Sequence, residues 1–536
     1  MNFFKRFLTQ QKYKIFNKKN FKNLNKNKTS SILIEFNGFQ PSHVCFSYFS
    51  QILSKKYKSK IVAFHNYSLI STPLKFGFKT KIKWMFGKMF GVKTFGIYKS
   101  FGTDEFIKPE FDNIKLKKNI LSAQKILKKI DNREDLLNTN FDHIKVGDLI
   151  YDTYLKKFQK PTVDINDKNF INLFLDFYCL YIFWKNYFDT SEIKGVVGVH
   201  SCYSFGLVLR IAYKRSIPTF AVSTRWAFRL NEKMPYINGQ YKNYKKTFKS
   251  LSEKLKKRGK KIADYKLQQR FKGSGGANVD MITSQNSSFK KVTFKSLINK
   301  NKRIKILIAP HDFFDAVHIF GNMFFNDFYD WLEFLGKISE KTNYDWYIKN
   351  RPNHPGKFQI YQPHTQKIID KICSKYKNIK VLPNNYSHNQ IISEGINFVL
   401  TCYGSVGVEY AYFKIPVINA SLNNPHVAYN FNIQPKNKKD YIDIILNLKK
   451  YVNFGRKISK EEIKEYYFMR HLYLDKNWII QDLNKMLKYV GGYDNMWSHK
   501  FYNYYLENLT KQKHKQIIKN IQNLINYKNN YINISH

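Results

Sequence analysis

Cysteine is scarce in this chain. Five cysteines, Cys45, Cys179, Cys202, Cys373 and Cys402, are scattered through 536 residues, and no two of them form a C-x-x-C pair. That pattern argues for a reducing cytoplasm and against both a disulfide framework and a zinc site. Long apolar runs are also missing. About 18 consecutive apolar residues would be needed to cross a bilayer, and no such run occurs, so no transmembrane helix is expected. The segment Leu173 to Phe183 is strongly apolar but short and reads as a buried helix. Residues 1–28 hold nine basic and no acidic residues, and lack the apolar stretch of a signal peptide. The first β-to-α turn, Asn37-Gly38-Phe39, lacks a full G-x-G-x-x-G, which argues against a dinucleotide site there. No Asp-x-Asp stands in a clear strand-end position, and no internal repeat appears beyond two α/β halves.

Negative charge is scarce as well. There are 39 Asp and Glu against 91 Lys and Arg, giving a formal charge of +52. Nucleic-acid binding would be one source of such a balance, but zinc-finger spacing, an RNA-recognition motif and a basic zipper are all absent. An anionic membrane surface or an acidic glycan is a second source. An AT-rich genome is a third, because Lys, Asn, Ile, Phe and Tyr are abundant together. Composition of that kind explains most of the charge, yet a surface so basic is still drawn to anionic lipid heads. The apolar content of 43%, with 46 Phe and 38 Tyr, is enough for sizeable cores and excludes a disordered chain. The length allows two or three domains.

Three segments carry groups suited to phosphate or acid–base chemistry. The first is Phe398-Val-Leu-Thr-Cys-Tyr-Gly-Ser-Val-Gly-Val-Glu409, followed by Lys414-Ile-Pro-Val-Ile418. It reads as a buried strand, a glycine loop, a short helix with Ser405 as N-cap, and a second strand. Gly404 and Ser405 can present backbone N–H groups to a phosphate, and Glu409 can reach a ribose diol. Alternatively the glycines only allow close packing. The second segment is the strand Tyr344 to Lys349 running into Asn350-Arg351-Pro352-Asn353-His354-Pro355-Gly356. Arg351 suits bidentate phosphate binding and His354 can donate to a phosphate, or both sit on a solvated turn. The third is the strand Ile306 to Ala309, followed by Pro310, His311, Asp312, Asp315 and His318. A helix then begins near Asn326 or Asp327, with Phe328, Trp331, Leu332, Leu335 and Ile338 on one face. In a parallel α/β sheet such strand ends converge on one crevice.

These motifs resemble the GT-B glycosyltransferases of bacterial capsule and surface-polysaccharide biosynthesis. The resemblance rests on Lys349 to Pro355, on Gly404 to Ile418, and on Asp315-Ala-Val-His318 with Asp327-Phe-Tyr-Asp-Trp-Leu332. Val146-Gly-Asp-Leu-Ile-Tyr-Asp-Thr-Tyr-Leu155 in the first half adds to it. It covers roughly residues 140–430. It implies an α/β chain of two Rossmann-like domains facing a cleft, with a helical C-terminal extension. It also implies transfer of a sugar from a nucleotide-sugar donor, a co-substrate, to a glycan or lipid-linked acceptor, with neither metal nor other cofactor. A CDP-polyol polyolphosphotransferase, a UDP-sugar 2-epimerase and a non-catalytic membrane or glycan-binding scaffold are the alternatives.

The expected layout follows. Residues 1–28 form a basic tail or surface helix, 29–290 an acceptor domain, 300–450 a nucleotide-sugar domain, and 451–536 a helical extension. Residues 240–272 are a lysine-rich solvated or membrane-facing stretch. Nucleotide-sugar ligands are expected to be Lys349, Arg351, His354, Gly404, Ser405 and Glu409. Asp315, His318 and Asp312 are the expected catalytic residues, with His311 in reserve, and His200 is placed at the acceptor or in the core. The protein is expected in the cytoplasm, peripheral at the inner face of an anionic membrane, without nucleic acid.

Overall fold

In a computed structural model the chain divides into two units, each built on its own parallel sheet. The structure describes residues 2–21, 28–65, 69–70, 77–111, 113–237, 239–273, 288–290, 295–351, 362–474, 478–480, 482–492, 495–527 and 530–532. Unit 1 comprises Met1–Lys157, Asp164–Ile237 and Lys476–His536; unit 2 comprises Phe158–Val163 and Asn238–Asp475.

Unit 1 begins with helix α1 (Asn2–Asn20), strand β1 (Ser31–Phe36), α2 (Gln40–Tyr57) and β2 (Lys60–His65). It continues through α3 (Phe78–Phe90), α4 (Thr94–Ser100), β3 (Thr103–Ile107) and α5 (Lys168–Thr190) to β4 (Ile193–Gly198), α6 (Gly206–Lys214), β5 (Thr219–Val222) and β6 (Ala227–Leu230). The strands lie in the order β3-β2-β1-β4-β5-β6. All neighbours are parallel except the β5–β6 pair. Near-continuous apolar strands such as Ile32-Leu-Ile34 and Ile61-Val-Ala63 are fully buried, as a parallel sheet covered on both faces requires. The apolar segment 173–183 lies within α5, which buries Leu173, Phe174, Phe177 and Leu180.

Unit 2 contains α7 (Glu253–Phe271), then β7 (Lys305–Ile308), α8 (Phe328–Ser339), β8 (Asp345–Lys349), α9 (Gln362–Lys375) and β9 (Ile379–Leu382). Next come β10 (Phe398–Thr401), α10 (Val406–Tyr412), β11 (Val417–Asn419) and α11 (Lys460–Tyr467). The sheet is wholly parallel, in the order β9-β8-β7-β10-β11. Asp327 caps α8 by accepting the Asp330 N–H at 2.8 Å, and Phe328, Trp331, Leu332, Leu335 and Ile338 are buried on its inner face. Both units are therefore Rossmann-like, with the strand order of a doubly wound sheet.

The two units differ from the boundaries read from sequence. Residues 2–20 are a helix packed into unit 1, with Tyr13 and Asn17 fully buried and Tyr13 stacked on Tyr502 at 4.3 Å. The lysine-rich α7 belongs to unit 2, where Arg270 pairs with Glu409 and Gly259 lets Phe468 pack against the helix backbone. Its lysines are partly spent on internal pairs: Lys256 with Glu253 at 2.8 Å and Lys260 with Glu461 at 3.2 Å. The chain after Lys476 returns to unit 1 with α12 (Lys500–Asn508) and α13 (Lys511–Asn526). Tyr505 and His514 both meet the Tyr48 hydroxyl at 2.7 Å. Beyond α13, Tyr531 pairs with Phe228, so residues 530–532 lie along the edge strand β6. No Pro or Gly stands between Gly455 and Gly491 to announce the crossing at Lys476. All five cysteines are free and buried.

The Val146–Leu155 motif has a structural explanation. Asp148 accepts a two-pronged ion pair from Arg210, at 2.6 and 2.7 Å, and a hydrogen bond from Tyr236 at 3.0 Å. Arg210 and Asp148 are 3% and 2% exposed, so removing the carboxylate strands a buried guanidinium. Asp148→Asn should cost about 3–5 kcal/mol of unfolding free energy in urea titration. A loss under about 1 kcal/mol would show that the pair is not anchoring this motif.

Candidate functional site

In unit 2 the strand order reverses between β7 and β10. The chain leaves β7 toward β8 on one side, and it reaches β11 from β10 on the other. Loops departing at such a switch point diverge and leave a crevice at the carboxyl ends of the strands. The register aligns Ile308 with Leu400, so the loops after these strands start level. His311 and Thr401 meet there, with His311 Nε2 3.1 Å from Thr401 Oγ1. The Tyr403 N–H donates to the same nitrogen at 3.3 Å. An N–H can only donate, so His311 Nε2 accepts and the ring proton is assigned to Nδ1. The imidazole lies between Phe328 and Tyr403, with ring centroids 4.6 and 4.5 Å away.

A cavity of about 340 Å³ opens at this point. The glycine loop supplies Tyr403, Gly404 and Ser405 to its wall, and α10 supplies Val408 and Glu409. Facing them are Arg270 from α7, His426, and Arg470 with His471. The last two ride on a single π-helical turn, Phe468–Tyr473, that continues α11. Such turns recur at functional positions because they re-aim side chains within a helix. Arg470 is half-buried, with its guanidinium 5.6 Å from the Phe320 ring and one nitrogen 3.5 Å from the Tyr244 hydroxyl. Among the described residues it has no carboxylate partner. The N–H groups of Ser405 and Val406 likewise make no hydrogen bond to the described residues.

Electrostatically the cavity is a cationic pocket in which His311 and His426 are neutral. Burial, and then the positive charge of Arg351, push His311 down to about 3. Burial, and then Arg470, do the same to His426, also to about 3. Behind the wall, burial pushes the Lys349 ammonium down to about 7; Glu409 opposes that shift and Arg270 adds to it. At neutral pH the His311 and His426 imidazoles are therefore hydrogen-bonding groups without charge.

The residues singled out in the sequence are distributed as follows. Gly404, Ser405 and Glu409 line the cavity. Ser405 makes no side-chain cap; the Gly404 N–H instead donates to Thr401 Oγ1 at 3.1 Å. Glu409 is 2% exposed and takes the Arg270 guanidinium at 2.5 Å, so its carboxylate is engaged within the protein. Lys349 is buried at the end of β8. Arg351 is exposed and pairs with Asp312 at 2.8 Å. His354 lies outside the described residues. Asp315 is exposed, whereas His318 is 1% exposed with Nε2 2.8 Å from the Asn326 carbonyl. His200 is exposed in unit 1, just beyond β4, its ring 5.7 Å from that of Phe205. Gly407 does serve close packing: a Cβ there would fall 2.4 Å from His426 Cε1. His426, Arg270, Arg470 and His471 carried no spacing signal in the sequence. They reach the site from segments far apart in the chain.

No family model and no curated protein matches the chain. Among solved structures it is similar to Thermosulfurimonas dismutans KpsC, a beta Kdo 2,4 transferase, at 11% identity. That match covers 52% of this chain and 79% of the other, with a TM-score of 0.31. It is also similar to a glycosyltransferase from Rickettsia africae ESF-5, at 10% identity over 90% of this chain and 100% of the other, TM-score 0.26. A third is the UDP-GlcNAc 2-epimerase from Neisseria meningitidis bound to UDP-GlcNAc, at 12% identity over 82% and 96% of the two chains, TM-score 0.24.

The buried histidines fix a pH dependence. Unfolded, His426 binds a proton near pH 6.5; folded, it does so only near 3. The unfolded state thus binds more protons between these values, and stability is lost as pH falls through that window. The expected share of one such group is at most about 1.4 kcal/mol per pH unit. Urea unfolding at stepped pH should give a shallower acid slope for His426→Gln than for wild type. Equal slopes would mean that His426 titrates normally in the fold.

Proposed function

We propose that this chain is a glycosyltransferase, with the cavity of unit 2 holding the phosphates of a nucleotide-sugar donor. The observation that carries this reading is the cavity at the β7–β10 switch point, with Arg470 and Ser405 of the glycine loop on its wall. A volume of about 340 Å³ falls within the range of small-molecule sites. In the transfer, the acceptor hydroxyl oxygen attacks the anomeric carbon. The bond from that carbon to the donor phosphate oxygen breaks, and its electron pair leaves with the phosphate. Arg470 and the loop N–H groups would stabilise the charge that develops there. The His311 Nδ1–H would add a neutral donor. A base must take the acceptor proton. On the loop after β7, Asp315 is exposed, while His318 is buried against the Asn326 carbonyl. Within this reading Asp315 takes the proton. The acceptor is a surface glycan or lipid-linked glycan presented at the cytoplasmic face of a membrane, and the pathway is that of capsule or lipopolysaccharide synthesis.

A thermal-shift and calorimetric screen of CMP, CDP, UDP and GDP tests the donor site. One of them should stabilise the protein, and Arg470→Ala should weaken that nucleotide by about 10-fold or more, as loss of a charge-assisted bond implies. No shift with any of the four would leave a scaffold role standing and remove the enzyme reading.

The loop after β7 gives a split prediction. Asp315→Asn should lower turnover by about 10²–10⁴-fold while melting temperature and nucleotide affinity stay near wild type. His318→Ala should instead lower the melting temperature, because it removes a buried ring and its bond to Asn326. Normal turnover in a folded Asp315→Asn protein moves the base elsewhere.

A further inference from the structure

Helix α3 is amphipathic in the inverse sense for a globular protein. Its sequence is Phe78-Lys-Thr-Lys-Ile-Lys-Trp-Met-Phe-Gly-Lys-Met-Phe90. Successive helical residues turn by about 100°, so Phe78, Ile82, Met85 and Met89 fall within an arc of about 60°. They are 79, 43, 62 and 60% exposed. Phe86 and Phe90 widen the same side and are more than half exposed. The opposite side holds the helix to the protein. Trp84 packs edge-on against Phe36 and Phe95, at 5.4 and 5.0 Å, and Gly87 lies against the Phe95 ring. A soluble helix normally turns its apolar face inward. Here the anchored side is narrow and the broad apolar side faces out.

The charges flanking that face have one sign. Residues 77–100 contain Lys79, Lys81, Lys83, Lys88, Lys93 and Lys99 and no acidic residue. Lys81 and Lys88 border the apolar arc on one side and Lys83 on the other. None of the six has a carboxylate partner among the described residues. Helix α1 repeats the arrangement independently. Thr9, Tyr13 and Asn17 are buried on one side, while Phe4, Phe7, Leu8 and Ile15 are exposed on the other. Its six basic residues stand without an acid. Both α1 and α3 pack against α4, so the two outward apolar faces belong to one region of unit 1.

We propose that α3, supported by α1, is a bilayer-inserting surface that docks unit 1 onto an anionic membrane. Charge complementarity selects the occupant. An apolar strip bordered on both sides by unpaired lysines matches acyl chains beneath anionic headgroups. No helix among the described residues is long and apolar enough to cross a membrane, so the helix lies in the interface plane. The surface differs from the lysine-rich α7, where Lys256 and Lys260 pair with Glu253 and Glu461. It does not rest on the nucleotide reading of unit 2.

The experiment is flotation of the full chain with vesicles of phosphatidylcholine alone and of phosphatidylcholine with phosphatidylglycerol. The protein should float with the anionic vesicles, and Met85→Glu with Met89→Glu should lower that partitioning by at least ~10-fold. Both positions are solvent-facing, and circular dichroism checks that the variant stays folded. A second readout needs no acidic substitution. All five native cysteines are buried, so Met85→Cys can carry a polarity-sensitive dye. That dye should shift to the blue on anionic vesicles, and a dye on Lys375→Cys of unit 2 should not. Unchanged flotation of the double variant would overturn the proposal in favour of adsorption elsewhere. Absence of flotation with either vesicle would also overturn it. So would a wild-type dimer that the double variant converts to monomer, with no dye shift on vesicles; that face would then belong to a second copy of the chain.

Discussion

The reversal of strand order in unit 2 is the constraint from which the rest of the site follows. Because β8 and β11 flank β7 and β10 on opposite sides, the connections after β7 and β10 cannot cover one another. The backbone must open there, and polar groups at both strand ends meet across the opening. His311 and Thr401 join the two loops directly. The buried Arg270–Glu409 pair then ties α7 to α10, two elements 139 residues apart in sequence. Together they form a wall whose outer surface is cationic and whose inner side is held by an ion pair excluded from water. Such a pair contributes little net stability, but breaking it is costly, so it holds the wall in place.

Much of this fold was legible in the sequence. The apolar run Ile306 to Ala309, ended by Pro310, reads as a strand, and the strand spans Lys305–Ile308. Asp327 before Phe328, Trp331 and Leu332 announced both the start and the buried face of α8. The loops at the strand ends were legible for the same reason, since Gly404-Ser405 and Pro310-His311 interrupt apolar strands with polar residues. What escaped was whatever depends on long-range return of the chain. Arg470, His471 and His426 have ordinary local surroundings, and only tertiary packing brings them opposite the glycine loop. The return of α12 and α13 to unit 1 is likewise driven by aromatic packing on Tyr13 and Tyr48, which leaves no local mark. Glu409 had a visible position but an invisible partner: its ion pair with Arg270 could not be read from spacing.

The net charge of +52 separates into parts with different physical meaning. On α7, Lys256 and Lys260 pair with Glu253 and Glu461 of their own unit. The Arg210–Asp148 and Arg270–Glu409 pairs are buried and cancel locally. Among the described residues the lysines of α1 and α3 do neither, and they sit beside exposed phenylalanine, isoleucine and methionine. An evenly biased composition would raise the lysine count everywhere; it would not gather apolar side chains on the outer faces of two helices that share a packing partner.

The central claim is that the switch point of unit 2 is where a nucleotide binds. Hydrogen–deuterium exchange of the full chain, with and without saturating CMP, CDP, UDP or GDP, tests it by location. The account predicts slower exchange for the backbone of the Tyr403–Val408 loop and of the Tyr466–His471 segment with one nucleotide. Protection confined to the strand ends of unit 1, or no protection with any of the four, would contradict it.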